Sequence, residues 1–590
     1  RRMARRISHR GPDGTGAHVS AHCALAHMHL AVRDPENGAQ PMTARREGRE
    51  CAIVYDGELY NAPQLRDDLE SRGYAFETDC DTEVALNAYL CYGEGCAEKL
   101  EGAYAFVVDD GLRGLTFLCR DRLGEKPLFY TFQNGRLAFG SEIKALFEFP
   151  GVNPTLDREG LCEVFGLGPA RTPGCGVFQG VRELKPGHTA LYSREGFQER
   201  RYFQLEALPH TEDREATVDR VRELLTDAVE RRLAGGAPLC AFLSGGLDSS
   251  IPVAIAVRAL ERRGQSLSTY SFQFEGNEEF SSSLPAEREE ERAQTVSGLL
   301  GARHTTLVCG NDQLADSLFE SVIARDLPGL SGLDGSLLYF CRQVKQRHTA
   351  ALCGGCSGEL FGGSPWFLRR ELFDGARFPW SGSPDARHSL LQPELRDALG
   401  VEEYVSTRLQ ETLDAAPRLR GESAEERRMR EIAYLSMERY LPALLERQDR
   451  CGMWSGLELR DPYADHRLAQ YLFNVPWEYK CPEGTPLGLL RDAAKTLLPE
   501  AALERAKPPC PAPHNPGYEE LLKQRLTYIL RDSLQPIHKV LSREAVNELL
   551  AQDPACGGPW SGQLTAGPRL LAYLIQVNYW MLHYNIYIDV

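Results

Sequence analysis

Leu239-Cys240-Ala241-Phe242-Leu243-Ser244-Gly245-Gly246-Leu247-Asp248-Ser249-Ser250 is the stretch on which the reading of this chain turns. An apolar run enters it, a Ser-Gly-Gly turn follows, and an amphipathic stretch from Ser249 to about Arg263 leaves it. That order predicts a buried strand, a tight turn and a helix start. Glycines in the turn let backbone N–H groups come close to a ligand. Ser244, Ser249 and Ser250 add hydroxyls, and the helix N-terminus adds partial positive charge, so the string reads as a phosphate cradle. Asp248 opposes an anion unless it holds a metal that the phosphates also touch. An ordinary strand-to-helix turn is the alternative, and the length of the string argues against it.

Outward from this stretch, a chain of 590 residues is too long for one core, so two or more domains are expected. Hydrophobic content of 42% and charged content of 25% are those of a globular protein. A net charge of -16 argues against a nucleic-acid partner, which needs a basic footprint. No long uncharged apolar run is present, so no membrane partner is expected. Leu570 to Ile588 comes nearest, but Gln576, Asn578, His583 and Asn585 interrupt it, and it reads as a C-terminal helix packed on a core. The 17 cysteines are scattered rather than framed, which fits reduced thiols in a cytoplasmic protein. Cys353-Gly354-Gly355-Cys356 has the spacing of a metal knuckle, but no second pair follows at zinc-site distance, so no metal is expected there.

Short alternating runs with Gly and Asn turns continue to about Tyr192, the pattern of an antiparallel β-rich domain. Helical stretches interrupt it at Ala62 to Arg72 and at Asp81 to Tyr92. Ala145 to Glu212 reads as loop-rich, and the domain boundary is placed at about 205, giving units 1–205 and 206–590. Thr217 to Leu233 is helical and leads into the phosphate-loop strand. Leu267 to Phe272, His304 to Val308 and His348 to Cys353 follow as strands, each preceded by a helical stretch. This alternation predicts an α/β fold with a doubly wound parallel sheet, and ligands beyond its strand C-termini. From about Glu426 the chain reads as mostly helical. The charge run Glu287 to Arg292 reads as a solvated helix face.

The loop string resembles the pyrophosphate loop of ATP pyrophosphatases. In combination with other motifs, the chain resembles the glutamine-hydrolysing asparagine synthetase family over nearly its whole length. The first half contributes His9-Arg10-Gly11-Pro12-Asp13-Gly14, Asp56-Gly57-Glu58-Leu59-Tyr60-Asn61, Asp81-Thr82-Glu83 and Arg120 to Leu128. The second contributes the phosphate loop, Gly358 to Gly363, Ser455 to Arg460 and Leu489-Leu490-Arg491. The resemblance implies an N-terminal-nucleophile (Ntn) αββα glutaminase domain followed by a synthetase domain. It implies glutamine or ammonia, aspartate and Mg2+-ATP as small-molecule partners, and a possible homodimer. Glutamine hydrolysis then supplies ammonia through a tunnel, and Mg-ATP adenylates the aspartate side chain before ammonia displaces AMP.

Carried over residue by residue, Leu243, Ser244, Gly245, Gly246, Asp248, Ser249, Ser250, Ser271 and Gly354 would hold ATP, with Asp248 on Mg2+. Glu359, Arg447 and Asp449 are the candidate catalytic residues, for which inter-helix ion pairs are the alternative. Arg450, Glu458 and Arg491 also match. His29, Asp56, Gly57, Glu58 and Asp81 would hold glutamine. His29 replaces an Arg and Asp56 an Asn, which costs a carboxylate fork and an oxyanion donor. The family's nucleophile is an N-terminal Cys, whereas this chain opens Arg1-Arg2-Met3, as if inside a helix. A fragment is therefore expected, with upstream coding sequence starting Met-Cys, and a poor glutaminase as written. Gly355 and Gly358 replace acids, and Leu487 replaces a phosphate-neutralising Lys. Those losses leave two rival expectations: a nucleotide-binding relative without turnover, or a peptide- or β-lactam-cyclising relative with a wider acceptor pocket.

Overall fold

A computed structural model describes residues 1–590 except 33, 35, 47, 237, 281–288, 374–376, 382–384, 504–512, 514 and 552–567. Its first part is built on a six-stranded antiparallel sheet. The strand order is Gly196–Arg201, His188–Ser193, Leu115–Arg120, Gly102–Asp110, Arg49–Leu59 and Met42–Arg46. Alternate residues face opposite ways. Ile53, Tyr55, Phe106, Val108 and Phe117 form a core with Leu65 and Leu69 of helix Ala62–Ser71 and with Val84 and Tyr89 of helix Asp81–Tyr92. Ala52, Ala105, Val107 and Leu118 face the other way, against Leu25, Leu128 and Tyr130. There they meet a three-stranded sheet, Val181–Glu183, Phe129–Gln133 and Arg136–Gly140, and a hairpin of Gly14–Val19 with Ala24–His29. Phe129 and Ala138 share a further core with Ile143, Leu146 and Leu161 of two short helices. The layers are helix, sheet, sheet, helix, as the αββα expectation has it.

The stretch 145–212 is richer in strands than its sequence indicates. His188–Ser193 and Gly196–Arg201 form a hairpin whose outer strand is exposed and polar, with little alternation to reveal it.

The second part holds a five-stranded parallel sheet ordered Arg303–Cys309, Ser268–Phe274, Leu239–Phe242, Ala350–Leu352 and Glu458–Arg460. Strands are added outward on both sides of Leu239–Phe242, so the switch point lies between it and Ala350–Leu352. The phosphate loop leaves the sheet there. The edge strand Glu458–Arg460 was not expected, because three residues are too few to show a period.

Helix Leu247–Glu261 follows the loop and buries Ile251, Val253, Ile255 and Ala256. The expected helix before the loop strand is Arg214–Arg232, capped by the Asp213 side chain, which accepts from the Ala216 N–H. The C-terminal part is helical, and Pro568–His583 buries Leu570, Ile575 and Trp580 in the core. No helix among the described residues is long and apolar enough to cross a membrane. Of the charge run, residues 287 and 288 lie outside the described residues, and helix Glu289–Leu299 follows them.

Candidate functional site

The phosphate loop is held by its own polar groups. The Ser244 N–H donates to Ser249 Oγ (3.1 Å), and Ser249 Oγ and Ser250 Oγ donate to the Gly246 carbonyl (3.2 and 2.7 Å). Ser244 Oγ lies 3.0 Å from Ser249 Oγ. Gly245 has φ +77, and a Cβ there would come within 2.8 Å of the Arg292 backbone on helix Glu289–Leu299. The turn therefore admits glycine alone. Leu243 is tied to the neighbouring strand by its N–H to the Tyr270 carbonyl (2.8 Å), which puts Ser271 beside it. Gly354 is in close contact as well, since a Cβ there would meet the Asp248 carbonyl at 2.5 Å. All nine residues expected to hold ATP are thus brought together at one sheet edge.

The segment after the edge strand closes this edge, which the sequence reading missed. Asp461 Oδ2 accepts from the Gly355 N–H (2.9 Å), the Cys356 N–H (3.1 Å) and Gln448 Nε2 (3.0 Å). Tyr463 Oη donates to the Asp248 carbonyl (2.9 Å). Burial pushes the Asp461 carboxyl up, against the pull of these donors. The space at Gly355 is not open: a Cβ there would lie 2.7 Å from Gln448 Nε2. Glu359, 4% exposed, accepts from Ser364 Oγ at 2.7 Å. Leu487, 3% exposed, packs where a Cβ on Gly363 would meet it at 2.6 Å. Arg491 donates to the Leu503 carbonyl.

Arg447 and Asp449 are placed elsewhere. Arg447 Nε pairs with Asp334 at 3.0 Å, joining helices Leu441–Trp454 and Leu333–Lys345. Asp449 takes both Arg10 guanidinium nitrogens (2.8 and 3.1 Å) and Lys126 Nζ (3.2 Å). Burial pushes its carboxyl up, but Arg10 and Lys126 outweigh burial and hold it below the usual range. Arg450 is fully buried and pairs with Asp326 at 2.5 Å. Of these, Asp449 links the two parts of the chain, through Arg10 and Lys126.

His29, Asp56, Gly57, Glu58 and Asp81 all line one cavity of about 590 Å³. Gly57 has φ +137, and a Cβ would sit 1.9 Å from the Ala103 carbonyl. Asp81 Oδ2 accepts the Leu59 N–H at 2.7 Å. Burial lowers the His29 imidazole, with Asp13 opposing it. Its Nε2 has no hydrogen-bond partner among the described residues. Asp56 is paired with Arg10 at 2.8 Å, and the same guanidinium also pairs with Glu142 and Asp449. Glu58 pairs with Arg460 at 3.1 Å, and Arg460 also holds Glu458 at 3.1 Å. The cavity reaches Lys126, Met453 and Glu458, so it extends from the residues expected to hold glutamine to the edge strand of the parallel sheet.

The family model described as asparagine synthase matches residues 220–582, and that described as a glutamine amidotransferase domain matches residues 1–203. The chain belongs to the asparagine synthase family. It is 40% identical over 592 residues to glutamine-hydrolyzing asparagine synthetase 3 of Bacillus subtilis (strain 168), covering 100% of this chain and 96% of that protein. Glutamine-hydrolyzing asparagine synthetase 1 of the same organism is 28% identical over 567 residues, covering 90% of this chain and 87% of that protein. In this asparagine synthase-family chain, the residues missed by sequence reasoning are Arg10, Lys126, Gln448, Asp461 and Tyr463. Arg10 and Lys126 lie inside motifs already singled out, but their roles depend on a helix more than 300 residues away. Gln448 and Asp461 carry no local signal.

Proposed function

We propose that this chain is an ATP-dependent amide ligase that converts aspartate to asparagine, with AMP and pyrophosphate as the other products. The observation that carries this reading is the phosphate loop, whose nine ATP-site residues meet at the switch point of the parallel sheet. We place the domain boundary at 205/206, between the antiparallel and parallel sheets. The Gly245-Gly246 turn and the first N–H groups of helix Leu247–Glu261 face the polyphosphate. Leu243, Ser271 and Gly354 border the adenosine.

The donor chemistry fits one magnesium ion, with Asp248 as the carboxylate and phosphate oxygens and water as the remaining ligands. A bound Mg2+ would offset charge on the departing pyrophosphate. Glu359, held by Ser364, is the acid nearest in sequence to the Cys353–Cys356 turn. With Leu487 buried and Gly358 without a side chain, fewer charges face the pyrophosphate, so turnover is slow rather than absent. Arg447 and Asp449 serve as inter-element ion pairs in this reading.

In the first half, the cavity around His29, Asp56, Gly57, Glu58 and Asp81 takes glutamine. The lining of one cavity by all five residues supports this reading. The cavity's reach to Glu458 supports delivery of ammonia toward the parallel sheet. The 15 free cysteines among the described residues fit a reducing cytoplasm.

The test is pyrophosphate release from Mg-ATP. Purified chain with aspartate and ammonium should release pyrophosphate in step with asparagine. Absence of release across a range of aspartate concentrations would defeat the reading.

A further inference from the structure

Helix Leu247–Glu261, which leaves the phosphate loop, carries a proline inside it, Pro252. Proline has no N–H, so the carbonyl four residues before it loses its helical donor. That carbonyl belongs to Asp248, the residue read above as the magnesium ligand. It is nevertheless bonded, because Tyr463 Oη donates to it at 2.9 Å. The donor comes from the segment after the edge strand Glu458–Arg460, on another part of the sheet edge. Gly354 crowds the same carbonyl, since a Cβ there would come within 2.5 Å of its oxygen and 3.1 Å of its carbon.

Tyr463 is itself held firmly. Its side chain is fully buried, and its ring meets that of Phe361 edge-on with centroids 6.1 Å apart. Its backbone N–H donates to Asp461 Oδ1 at 3.0 Å. The other oxygen of Asp461 accepts from the Gly355 and Cys356 N–H groups, so the tyrosine is anchored to the turn that contains Gly354. Burial, followed by the Asp248 and Asp461 carboxylates, pushes the Tyr463 hydroxyl pKa up. The hydroxyl therefore keeps its proton at pH 7 and serves as the donor.

We infer that Tyr463 is a positioning residue: its hydroxyl replaces the helical N–H that Pro252 lacks and fixes the peptide from which Asp248 reaches toward the magnesium of Mg-ATP. The inference rests on the reading of this loop as an ATP site with Asp248 on the metal.

A double-variant cycle tests it. Tyr463→Phe removes the donor and keeps the ring. Pro252→Ala restores a helical N–H to the Asp248 carbonyl. Titration calorimetry should show Tyr463→Phe binding Mg-ATP roughly three- to tenfold more weakly than the unaltered chain. Binding of ATP in excess EDTA, which makes no use of Asp248 as a metal ligand, should change little. In Tyr463→Phe/Pro252→Ala the Mg-ATP affinity should return most of the way. Urea unfolding midpoints should follow the same order without any nucleotide, falling in Tyr463→Phe and recovering in the double variant. Equal weakening of Mg-ATP and metal-free ATP would show a merely structural role and overturn the inference. Unchanged Mg-ATP affinity in Tyr463→Phe would overturn it too, as would a double variant no better than Tyr463→Phe. An unaltered chain that binds no ATP contradicts the reading of the site, and the positioning role falls with it. The urea midpoints would then still show whether Tyr463 stands in for the missing N–H, which separates the two failures.

Discussion

At the scale of single residues, two glycines decide what the parallel-sheet site can accept. Gly245→Ala forces a Cβ to 2.8 Å from the Arg292 backbone at a φ of +77. Loop strain of about 1–3 kcal/mol is expected, and calorimetry should show Mg-ATP affinity lowered by ~10-fold or more. The second glycine, Gly355, bears on the idea of a widened acceptor pocket. Its missing side chain leaves no free space, because Gln448 fills it and is bound to Asp461. Gly355→Glu alone should cost about 1–3 kcal/mol in urea unfolding through overpacking. Adding Gln448→Ala should recover most of that loss, and an equal loss in the double variant would refute the coupling. The loop itself was legible in the sequence because strand, turn and helix start are local properties. The Gln448–Gly355 pair was not, because 93 positions separate the two residues and only the fold brings them together.

At the scale of elements, the short edge strand Glu458–Arg460 does more than its length suggests. The residues just after it, Asp461 and Tyr463, hold both the Cys353–Cys356 turn and the start of the loop helix. Alternating strands and helices revealed the other four strands, but three residues with two charges carry no period. The helix Trp477–Lys480 shows a different constraint. Lys480 is 5% exposed, and burial together with the Arg430 cation lowers its pKa to about 7. Its folded pKa lies below the unfolded value of roughly 10.4, so between those two values the unfolded chain binds more protons. Stability contributed by this site therefore rises with pH across that window. Lys480→Met should stabilise the protein at pH 7 by on the order of 3 kcal/mol. The gain should shrink toward zero near the unfolded pKa, as followed by urea unfolding at a series of pH values. A pH-independent gain would contradict the assignment.

At the scale of the whole molecule, the two halves are joined by buried charge and by a shared core. Arg10 and Lys126 of the first half converge on Asp449 of the second, and Glu58 meets Arg460. The C-terminal strand Tyr587–Ile588 pairs in parallel with Thr155–Leu156. One apolar core contains Phe129 and Ile143 as well as Leu352 and Trp580. Asp449→Ala takes the paired carboxylate from buried Lys126 and one of three from Arg10, at a cost of about 3–5 kcal/mol. Scanning calorimetry should show a lower transition, and separation into two steps as the halves uncouple. An unchanged single transition would contradict this account. Residue types alone left Asp449 open between substrate contact and ion pair, because both need the same buried carboxylate. The central claim is that ATP activates a carboxylate by adenylation at the switch point of the parallel sheet. Aspartate labelled with 18O in its side-chain carboxylate tests this most directly, by mass spectrometry of the nucleotide product after turnover with Mg-ATP and ammonium. The account predicts one 18O atom in AMP for each asparagine formed; label in inorganic phosphate with ADP as the product, or AMP free of label, would contradict it.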